Sequence, residues 1–438
     1  MSVVGLYETV VDGLSTWEVN GNLVRPKVVA ATATIRRAAQ QVHSLFMRQV
    51  NVFPPQGLDV ADNFFARQRE PAEETPGRRY MGICASGRRL KAALIRVYVA
   101  YLSAGQYLYE KYGKAADPWM TLVGYFNSIN ELGGTRRLVE DDVRSRLLRM
   151  EQRGLAKRNP PFMEELTSLK SSTDIPEVLD RLEQVFDPNQ QKQDGLPRRI
   201  DVLLATNMIS VGVDVKRLGL MVVTGQPKTT AEYIQATSRV GRNAPGLVCV
   251  VFNWARPRDL SHYEQFEHYH ATFYQQVEAL SVTPFAPRAL DRGLSALLVS
   301  FVRLLGPEFN ANDRAGMVDG THPYFIEAIN DIYTRAITVS GSTEVGENVR
   351  AALGDLRAYW LKAASANVGT ELGYKMKKDG HTVGLLKQAG LSDWKPFTCL
   401  NSLRDVEPSI NLILDERSLG DALENASEII GETGDASA

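Results

Sequence analysis

Three polar side chains near the middle of the chain have the types and spacing to contact a phosphate chain. Gln235, Arg239 and Arg242 lie in the stretch AEYIQATSRVGRNAPG, which begins at Ala231 and has the pattern of a short helix followed by a loop. Residues three and four positions apart share one face of a helix, so these groups are expected along one helical edge. Guanidinium groups bind phosphate oxygens in pairs, and the pattern therefore predicts an anion-binding edge.

The elements that position this edge are predicted by apolar, β-branched runs of the kind that parallel sheets bury on both faces. The runs lie at residues 27–35, 121–129, 200–209, 219–227 and 247–255. A helical period covers residues 88–113, and Thr229 with Glu232 matches a capping box for the helix that carries Gln235. The alternation predicts an α/β fold, in which helices flank a parallel sheet.

In an open parallel sheet, ligands bind beyond the carboxyl ends of the strands, so side chains there are the first candidates for function. The stretch ATNMISVGVDV leaves a predicted strand with Thr206 and then reaches Gly212 and Asp214. Glycine allows a close backbone approach to a ligand, and the carboxylate can accept ribose hydroxyls or order an arginine. Each piece alone also fits an ordinary strand-to-helix loop. Their order and spacing together favour a ligand site.

These stretches resemble, in the same order, the motifs of the C-terminal RecA-like lobe of superfamily 2 helicases. ATNMISVGVDV resembles motif V, and QATSRVGR at residues 235–242 resembles motif VI. GYFNSINEL at residues 124–132 resembles motif IV, and TAT at residues 32–34 resembles motif III. The resemblance implies a RecA-like sheet, ATP hydrolysis with Mg²⁺, and contact with DNA. Ser238 stands where many members have glycine, which leaves the geometry of the following arginines open.

The resemblance also implies roles for individual residues. Arg239 and Arg242 would be arginine fingers at the γ-phosphate of ATP, ordered by Gln235. Gly212 and Asp214 would lie on the nucleotide side of the cleft. Nucleic-acid contacts are implied for Thr206, Asn127, Ser128, Thr32 and Thr34. An arginine finger accelerates phosphoryl transfer by about 10³ to 10⁵ because it stabilises the charge on the transferring group.

The residues that would hold ATP itself are not found before these motifs. Neither a Gly-x-x-x-x-Gly-Lys-[Ser/Thr] loop nor an Asp-Glu pair for magnesium precedes Thr32. GICASG at residues 82–87 has the glycine spacing but is followed by arginine, and we interpret it as an ordinary turn. Asp415 and Glu416 follow an apolar run, but they come after motif VI. We therefore predict that this chain alone is inactive and needs an N-terminal ATPase lobe on the same or another chain.

Longer stretches resemble the helicase subunit of the DISARM anti-phage system. They lie at residues 52–67, 80–98 and 268–300. This resemblance implies the carboxyl half of a larger translocase, with a DISARM protein as a further partner. Three segments are expected: residues 1–36 as a remnant of the preceding lobe, 37–260 as the RecA-like lobe, and 261–438 as a mainly helical extension with an acidic tail.

Composition limits the alternatives. Of the 438 residues, 44% are hydrophobic, and the formal net charge of -1 gives no overall attraction to nucleic acid. Three distant cysteines indicate neither a disulfide framework nor a cysteine zinc site. His262, His268 and His270 lie among aromatic residues, which indicates packing, and no metal site is predicted. No apolar run approaches the length that spans a bilayer, so a cytoplasmic protein without membrane contact is predicted.

Two functions stay open at this point. The chain is predicted to be the arginine-bearing lobe of an ATP-dependent DNA helicase or translocase in anti-phage defence. The alternative is a non-catalytic module that binds nucleic acid or a partner protein and has lost the ATP-hydrolysing lobe. The arginine-rich runs at residues 67–91 and 136–158 fit a groove for a nucleic-acid backbone or a solvated face, because both also contain acids.

Overall fold

The computed structural model describes residues 2–32, 35–55, 57–59, 62, 64–65, 67, 69–70, 72–73, 77–171, 173–188, 198–210, 214–366, 371–377, 381–389 and 394–400. Thr34, Gly212, Asp415, Glu416 and the acidic tail lie outside the described residues. The α-helices are α1 (Ser2–Leu14), α2 (Ala38–Phe46), α3 (Leu90–Tyr112), α4 (Ile129–Leu138), α5 (Arg144–Leu147), α6 (Asp174–Glu183), α7 (Thr230–Thr237), α8 (Pro257–Glu264), α9 (Phe266–Ala271), α10 (Pro287–Leu304), α11 (Pro323–Ser340) and α12 (Thr343–Ala366). The strands are β1 (Trp17–Val19), β2 (Asn22–Val24), β3 (Arg78–Cys84), β4 (Leu122–Phe126), β5 (Met163–Leu166), β6 (Val202–Ala205), β7 (Leu220–Thr224), β8 (Gly246–Phe252), β9 (Glu371–Gly373), β10 (Thr382–Gly384), β11 (Lys387–Gln388) and β12 (Thr398–Cys399).

The described residues form two compact units, which we call the sheet unit and the helical unit. The sheet unit consists of Ala30–Arg37 and Val52–Leu280. The helical unit consists of Met1–Val29, Ala38–Asn51 and Ser281–Ala438. The interpretation of residues 1–36 as a remnant of a preceding lobe stays a prediction.

The sheet unit contains six parallel strands in the order β3-β8-β7-β4-β6-β5. Four of the five predicted apolar runs form β4, β6, β7 and β8, and nearly every residue of these strands is buried. Both faces are covered, since α3, α4 and α5 contribute to the apolar core on one face and α6, α7 and α9 to the core on the other. The expected α/β fold, a RecA-like sheet flanked by helices, is confirmed.

Two local expectations differ from the structure, and a third agrees with it. Residues 27–32, the described part of the first apolar run, form neither helix nor strand, and their side chains are exposed. Strands β3 and β5 were not predicted. They are the two outermost strands of the sheet, and their residues are only partly buried. GICASG forms the end of β3 and a turn before α3, as predicted, with Gly87 at a φ of 72°.

The helical unit packs α1, α10, α11 and α12 around a single apolar core, in which Trp360 is fully buried. Asp12 ties the elements together, since its carboxylate accepts hydrogen bonds from Arg48 at 2.6 Å and from Arg335 at 2.9 Å. The mainly helical texture predicted after residue 260 is confirmed over α8 to α12. Among the residues described, every helix is too short or too polar to cross a membrane.

Candidate functional site

Helix α7 and the loop after it carry the residues of the predicted anion-binding edge. The helix begins at Thr230 because the Thr229 hydroxyl accepts a hydrogen bond from the Glu232 amide at 3.1 Å, as the capping box predicts. It ends at Thr237, before either arginine. The expectation of one continuous helical edge is therefore wrong.

The loop after α7 is bent by a close approach of two glycines. Gly241 has a φ of 73°, and a Cβ at this position would lie 2.6 Å from the Gly246 Cα. The helix cannot continue through such a position without strain. Arg239 consequently lies in a turn, and Arg242 lies in the loop that leads to β8.

The arginine loop lies at the end of the sheet where the strands begin, which we call the amino edge. The Gly241 amide donates to the Leu218 carbonyl at 2.8 Å, and Leu218 lies just before β7. Arg78, the first residue of β3, donates its Nε to the Val240 carbonyl at 2.8 Å. The expectation that the informative residues gather at the carboxyl ends of the strands is thus wrong for Arg239 and Arg242, because α7 runs back along the sheet.

Two arginines and one carboxylate meet at the amino edge. Arg242 forms an ion pair with Asp214, and its Nε donates to the Ser238 carbonyl at 3.2 Å. Arg239 is half-buried, and burial lowers the pKa of its guanidinium; the charge of Arg242 lowers this pKa further, while Asp214 opposes the shift. Arg242 contacts Asp214, and Arg239 lies three residues earlier in the same turn and loop, so the three residues share the amino edge. We call this group the amino-edge cluster.

The remaining predicted residues of this site have local roles or lie outside the description. Gln235 is half-buried in the last turn of α7, and its carbonyl accepts a hydrogen bond from the Ser238 hydroxyl at 2.9 Å. The hydroxyl at Ser238, where many superfamily 2 members have glycine, is thus used at the helix end. The amino-edge cluster has two guanidinium groups for one carboxylate, a donor set that fits an anion with several oxygens, such as a phosphate.

The opposite end of the sheet, the carboxyl edge, holds the predicted nucleic-acid contacts of motifs IV and V. The side-chain amide of Asn127 donates to the backbone carbonyls of Thr224 and Gln226, both at 3.2 Å. The Ser128 hydroxyl caps α4. Thr206 is buried, and its amide donates to the Leu166 carbonyl at 3.3 Å. These groups hold the ends of the strands together; their contact with nucleic acid stays a prediction. Thr32 is exposed in the sheet unit.

A buried carboxylate that the sequence analysis did not single out organises the same edge. Asp259 is 3% exposed. One of its carboxylate oxygens accepts a hydrogen bond from the backbone amide of Gln226 at 3.2 Å, and the other accepts one from the backbone amide of Asn253 at 2.9 Å. Asp259 lies in the first turn of α8, after Pro257. An acid two residues after a helix-starting proline was the available signal.

A chain of hydrogen bonds continues from this carboxylate into α7. The Gln226 side chain donates to the Tyr269 hydroxyl at 3.2 Å, and Tyr269 donates to the Thr230 hydroxyl at 3.0 Å. Glu278 accepts from that hydroxyl at 3.1 Å and from the Thr230 amide at 2.8 Å. A carboxylate at a helix start is favourable because the first amides lack partners. A continuous internal network therefore links these residues of the carboxyl edge.

The histidines near this network are packing residues. The His270 ring lies 4.1 Å from Phe266 and 4.8 Å from Tyr80, measured between ring centres. Burial is the main cause that lowers the pKa of His270 and of His262. Within the described part of the chain, no three His, Cys, Asp or Glu side chains are grouped to hold a metal ion.

Comparison with known proteins identifies the class of the sheet unit. Residues 182–244 match the helicase conserved C-terminal domain. The match begins at the end of α6, includes β6, β7 and α7, and ends just after Arg242. The chain therefore carries a helicase C-terminal domain.

A particular relative covers more of the chain. DISARM protein DrmA of Bacillus paralicheniformis is 48% identical over 316 residues, which cover 71% of this chain and 27% of that protein. The chain thus spans about a quarter of the length of this relative. The resemblance to superfamily 2 helicases and to the DISARM helicase subunit is confirmed.

Solved structures of helicases are among those to which the chain is similar. Mycobacterium smegmatis helicase Lhr bound to ssDNA and AMP-PNP is 14% identical, with a TM-score of 0.39, and the match covers 74% of this chain and 33% of Lhr. The DUF1998 helicase MrfA bound to DNA and AMPPNP is 14% identical, with a TM-score of 0.37, and the match covers 62% of this chain and 30% of MrfA. Similarity at this level says nothing about the ligands of this chain.

Proposed function

We propose that this chain is the C-terminal RecA-like lobe of an ATP-dependent DNA helicase or translocase in anti-phage defence. Arg239 and Arg242 act as its arginine fingers. The observation that carries this proposal is the amino-edge cluster, in which the fold pairs Asp214 with Arg242, distant in sequence, in the loop that also carries Arg239. The cluster lies within the residues that match the helicase C-terminal domain.

The charges of the cluster explain how the arginines could serve phosphoryl transfer. ATP with Mg²⁺, held by a Walker-motif lobe, would supply the phosphoryl group. Asp214 keeps Arg242 oriented when no phosphate is near. This ion pair is partly exposed, so exchanging the carboxylate for phosphate oxygens costs little. Arg239 is half-buried and needs less reordering. Gln235 would order the loop, and Gly212 would allow a close approach.

Nucleic acid would bind at the other end of the same strands. Thr206, Asn127 and Ser128 lie at the carboxyl edge, and Thr32 and Thr34 are proposed as further contacts. Two ligands at opposite ends of one rigid sheet can be coupled by closure of the lobe on its partner. A DISARM protein, as in the relative's name, is proposed as a further partner.

The test uses this chain mixed with a separately expressed Walker-motif lobe of a DrmA protein. Arg242→Ala and Arg239→Ala should each lower kcat for ATP hydrolysis by about 10³, because an arginine finger acts mainly on the transition state. Arg242→Lys should be nearly as damaging, since lysine keeps the charge but loses the planar fork. The matched control is Arg137→Ala on α4, an exposed arginine outside the cluster.

Thermal melts of each variant establish that it is folded. Near-normal kcat in folded Arg239→Ala and Arg242→Ala proteins would end the assignment of the arginines. DNA binding by the mixture without any ATP turnover would favour the alternative, a non-catalytic module.

The chain by itself should release no phosphate from ATP, with or without single-stranded DNA, because the arginines need a phosphate loop opposite them. Magnesium-dependent turnover that survives Arg242→Ala but is lost on substitution of Gly87 or Arg88 would show that the GICASG turn binds phosphate after all.

A further inference from the structure

An open cleft on the sheet unit, distinct from both edges described above, is lined by four arginines. Arg96 comes from α3, Arg146 from α5, and Arg149 and Arg153 from the segment directly after α5. The cleft has a volume of about 830 Å³. Such a volume lies within the range of ligand sites in proteins. We call it the arginine cleft.

These arginines are not used by the fold. All four side chains are exposed, and none makes an ion pair or side-chain hydrogen bond with another described residue. Arg136, an exposed arginine of the same unit, is by contrast paired with Glu140 and Glu165. Guanidinium groups that converge without partners repel one another, and an anionic ligand removes that cost.

The other lining groups decide which anion fits. Asp141 and Asp142 lie on the same rim, so the charged side chains of the cleft sum to a moderate positive charge. The apolar floor consists of Val99 and Met150, which are buried, and Leu155, which is 43% exposed and provides its open surface. Among the described lining residues none is aromatic, so the cleft offers no surface on which bases stack.

A nucleic-acid backbone matches this lining poorly. It brings a phosphate at every nucleotide close to Asp141 and Asp142, and it has no apolar group to cover the exposed Leu155. An acidic peptide with an apolar anchor matches each part. Its carboxylates face the arginines, its anchor covers the floor, and its backbone amides can donate to the two aspartates.

We propose that the arginine cleft is a docking site for an acidic peptide segment of a partner protein, with Glu or Asp side chains around a Leu or Phe anchor. Charge complementarity and the apolar floor support this occupant together. The role is independent of ATP turnover, because the cleft contains no residue of the amino-edge cluster. Within the arginine-rich run at residues 136–158, Arg146, Arg149 and Arg153 therefore have a docking role.

The test uses the full chain and a mixture of fluorescein-labelled peptides. Each peptide has about twelve positions, and each position is randomly Asp, Glu, Leu or Phe. Anisotropy should show saturable binding that weakens with added salt, because exposed charges are screened. The double variant Arg149→Glu with Arg153→Glu should weaken binding by about tenfold or more, since it reverses two charges at the site. The matched control Arg137→Glu changes an exposed arginine outside the cleft and should bind as the unchanged chain does.

Further arms separate the possible occupants. A mixture with Ser in place of Leu and Phe should bind at least several-fold more weakly, because it leaves the apolar floor uncovered. The proposal is overturned if the acidic mixture binds no better than a lysine counterpart, or if the double variant binds it normally. It is also overturned if the double variant loses single-stranded DNA binding and keeps peptide binding. Circular dichroism confirms that the double variant is folded.

Discussion

The amino edge and the carboxyl edge, at opposite ends of the strands, use polar side chains in opposite ways. At the carboxyl edge, Asp259 and Asn127 bond to backbone groups of neighbouring strands and loops. At the amino edge, Asp214 and Arg242 bond mainly to each other near the surface. Side chains committed to backbone groups cannot leave without exposing buried donors. An exposed ion pair can open at little cost, which suits a group that must reach a ligand.

This difference teaches where exchangeable chemistry lies in the sheet unit. The carboxyl edge is the usual ligand end of a parallel sheet, yet here its polar groups form an internal network. The amino edge receives its chemistry from the return of α7 along the sheet. The contrast can be tested by comparing equivalent changes at the two edges.

The largest effect on stability is expected from the buried carboxylate of the carboxyl edge. Asp259→Ala should lower the free energy of unfolding by about 3 kcal/mol, because the Gln226 and Asn253 amides lose their acceptor in a buried place. Urea unfolding followed by circular dichroism measures this change. A loss of unfolding free energy below about 1 kcal/mol would show that water replaces the carboxylate. It would contradict the assignment of Asp259 as the organiser of the carboxyl edge.

A smaller, pH-dependent effect is expected from His270, which packs against α7. Burial lowers its pKa, so below about pH 6.5 the unfolded chain binds a proton that the folded chain does not. Stability contributed by the neutral ring is present above that pH and is lost as pH falls. His270→Phe should therefore flatten the fall of unfolding free energy between pH 7.5 and pH 5.5. The control is His268→Phe, which changes an exposed histidine and should leave the pH profile as it is. Equal pH profiles for His270→Phe and the unchanged chain would contradict the role given to His270.

Nucleic-acid binding should depend modestly on the carboxyl edge. Single strands are expected to bind weakly and without sequence preference, with a log-log salt slope of about 0.7 for each phosphate contact. Thr206→Ala should weaken binding by about threefold at most, since a neutral hydroxyl releases no counterion, and should leave the salt slope unchanged. Titration of labelled oligonucleotides at several salt concentrations measures both quantities. Strong sequence selectivity or insensitivity to salt would count against a translocase surface.

The smallest stability effect is expected at the amino edge. Asp214→Ala should change the free energy of unfolding by no more than about 0.5 kcal/mol, because the side chain is 65% exposed and its ion pair is screened by solvent. The comparison with Asp259→Ala uses the same chemical change at both edges. A loss as large as that of Asp259→Ala would show that the amino-edge cluster is structural.

Much of the sheet unit could be predicted from sequence because its central strands are buried on both faces. The runs that form β4, β6, β7 and β8 are continuous and apolar, a pattern that few other structures require. The edge strands β3, RRYMGIC, and β5, MEEL, have one side partly open. Their polar residues hide the pattern, so only the neighbouring strand shows that they belong to the sheet.

The sequence by itself determined the types of the site residues, their order, and the capped start of α7 at Thr229, because these depend on local chemistry. Tertiary structure alone decided where α7 ends, since Gly241 must pack against Gly246. It also decided that Arg242 meets Asp214 at the amino edge. These features depend on groups distant along the chain whose positions are fixed only when the strands pair, so no spacing within one segment reveals them.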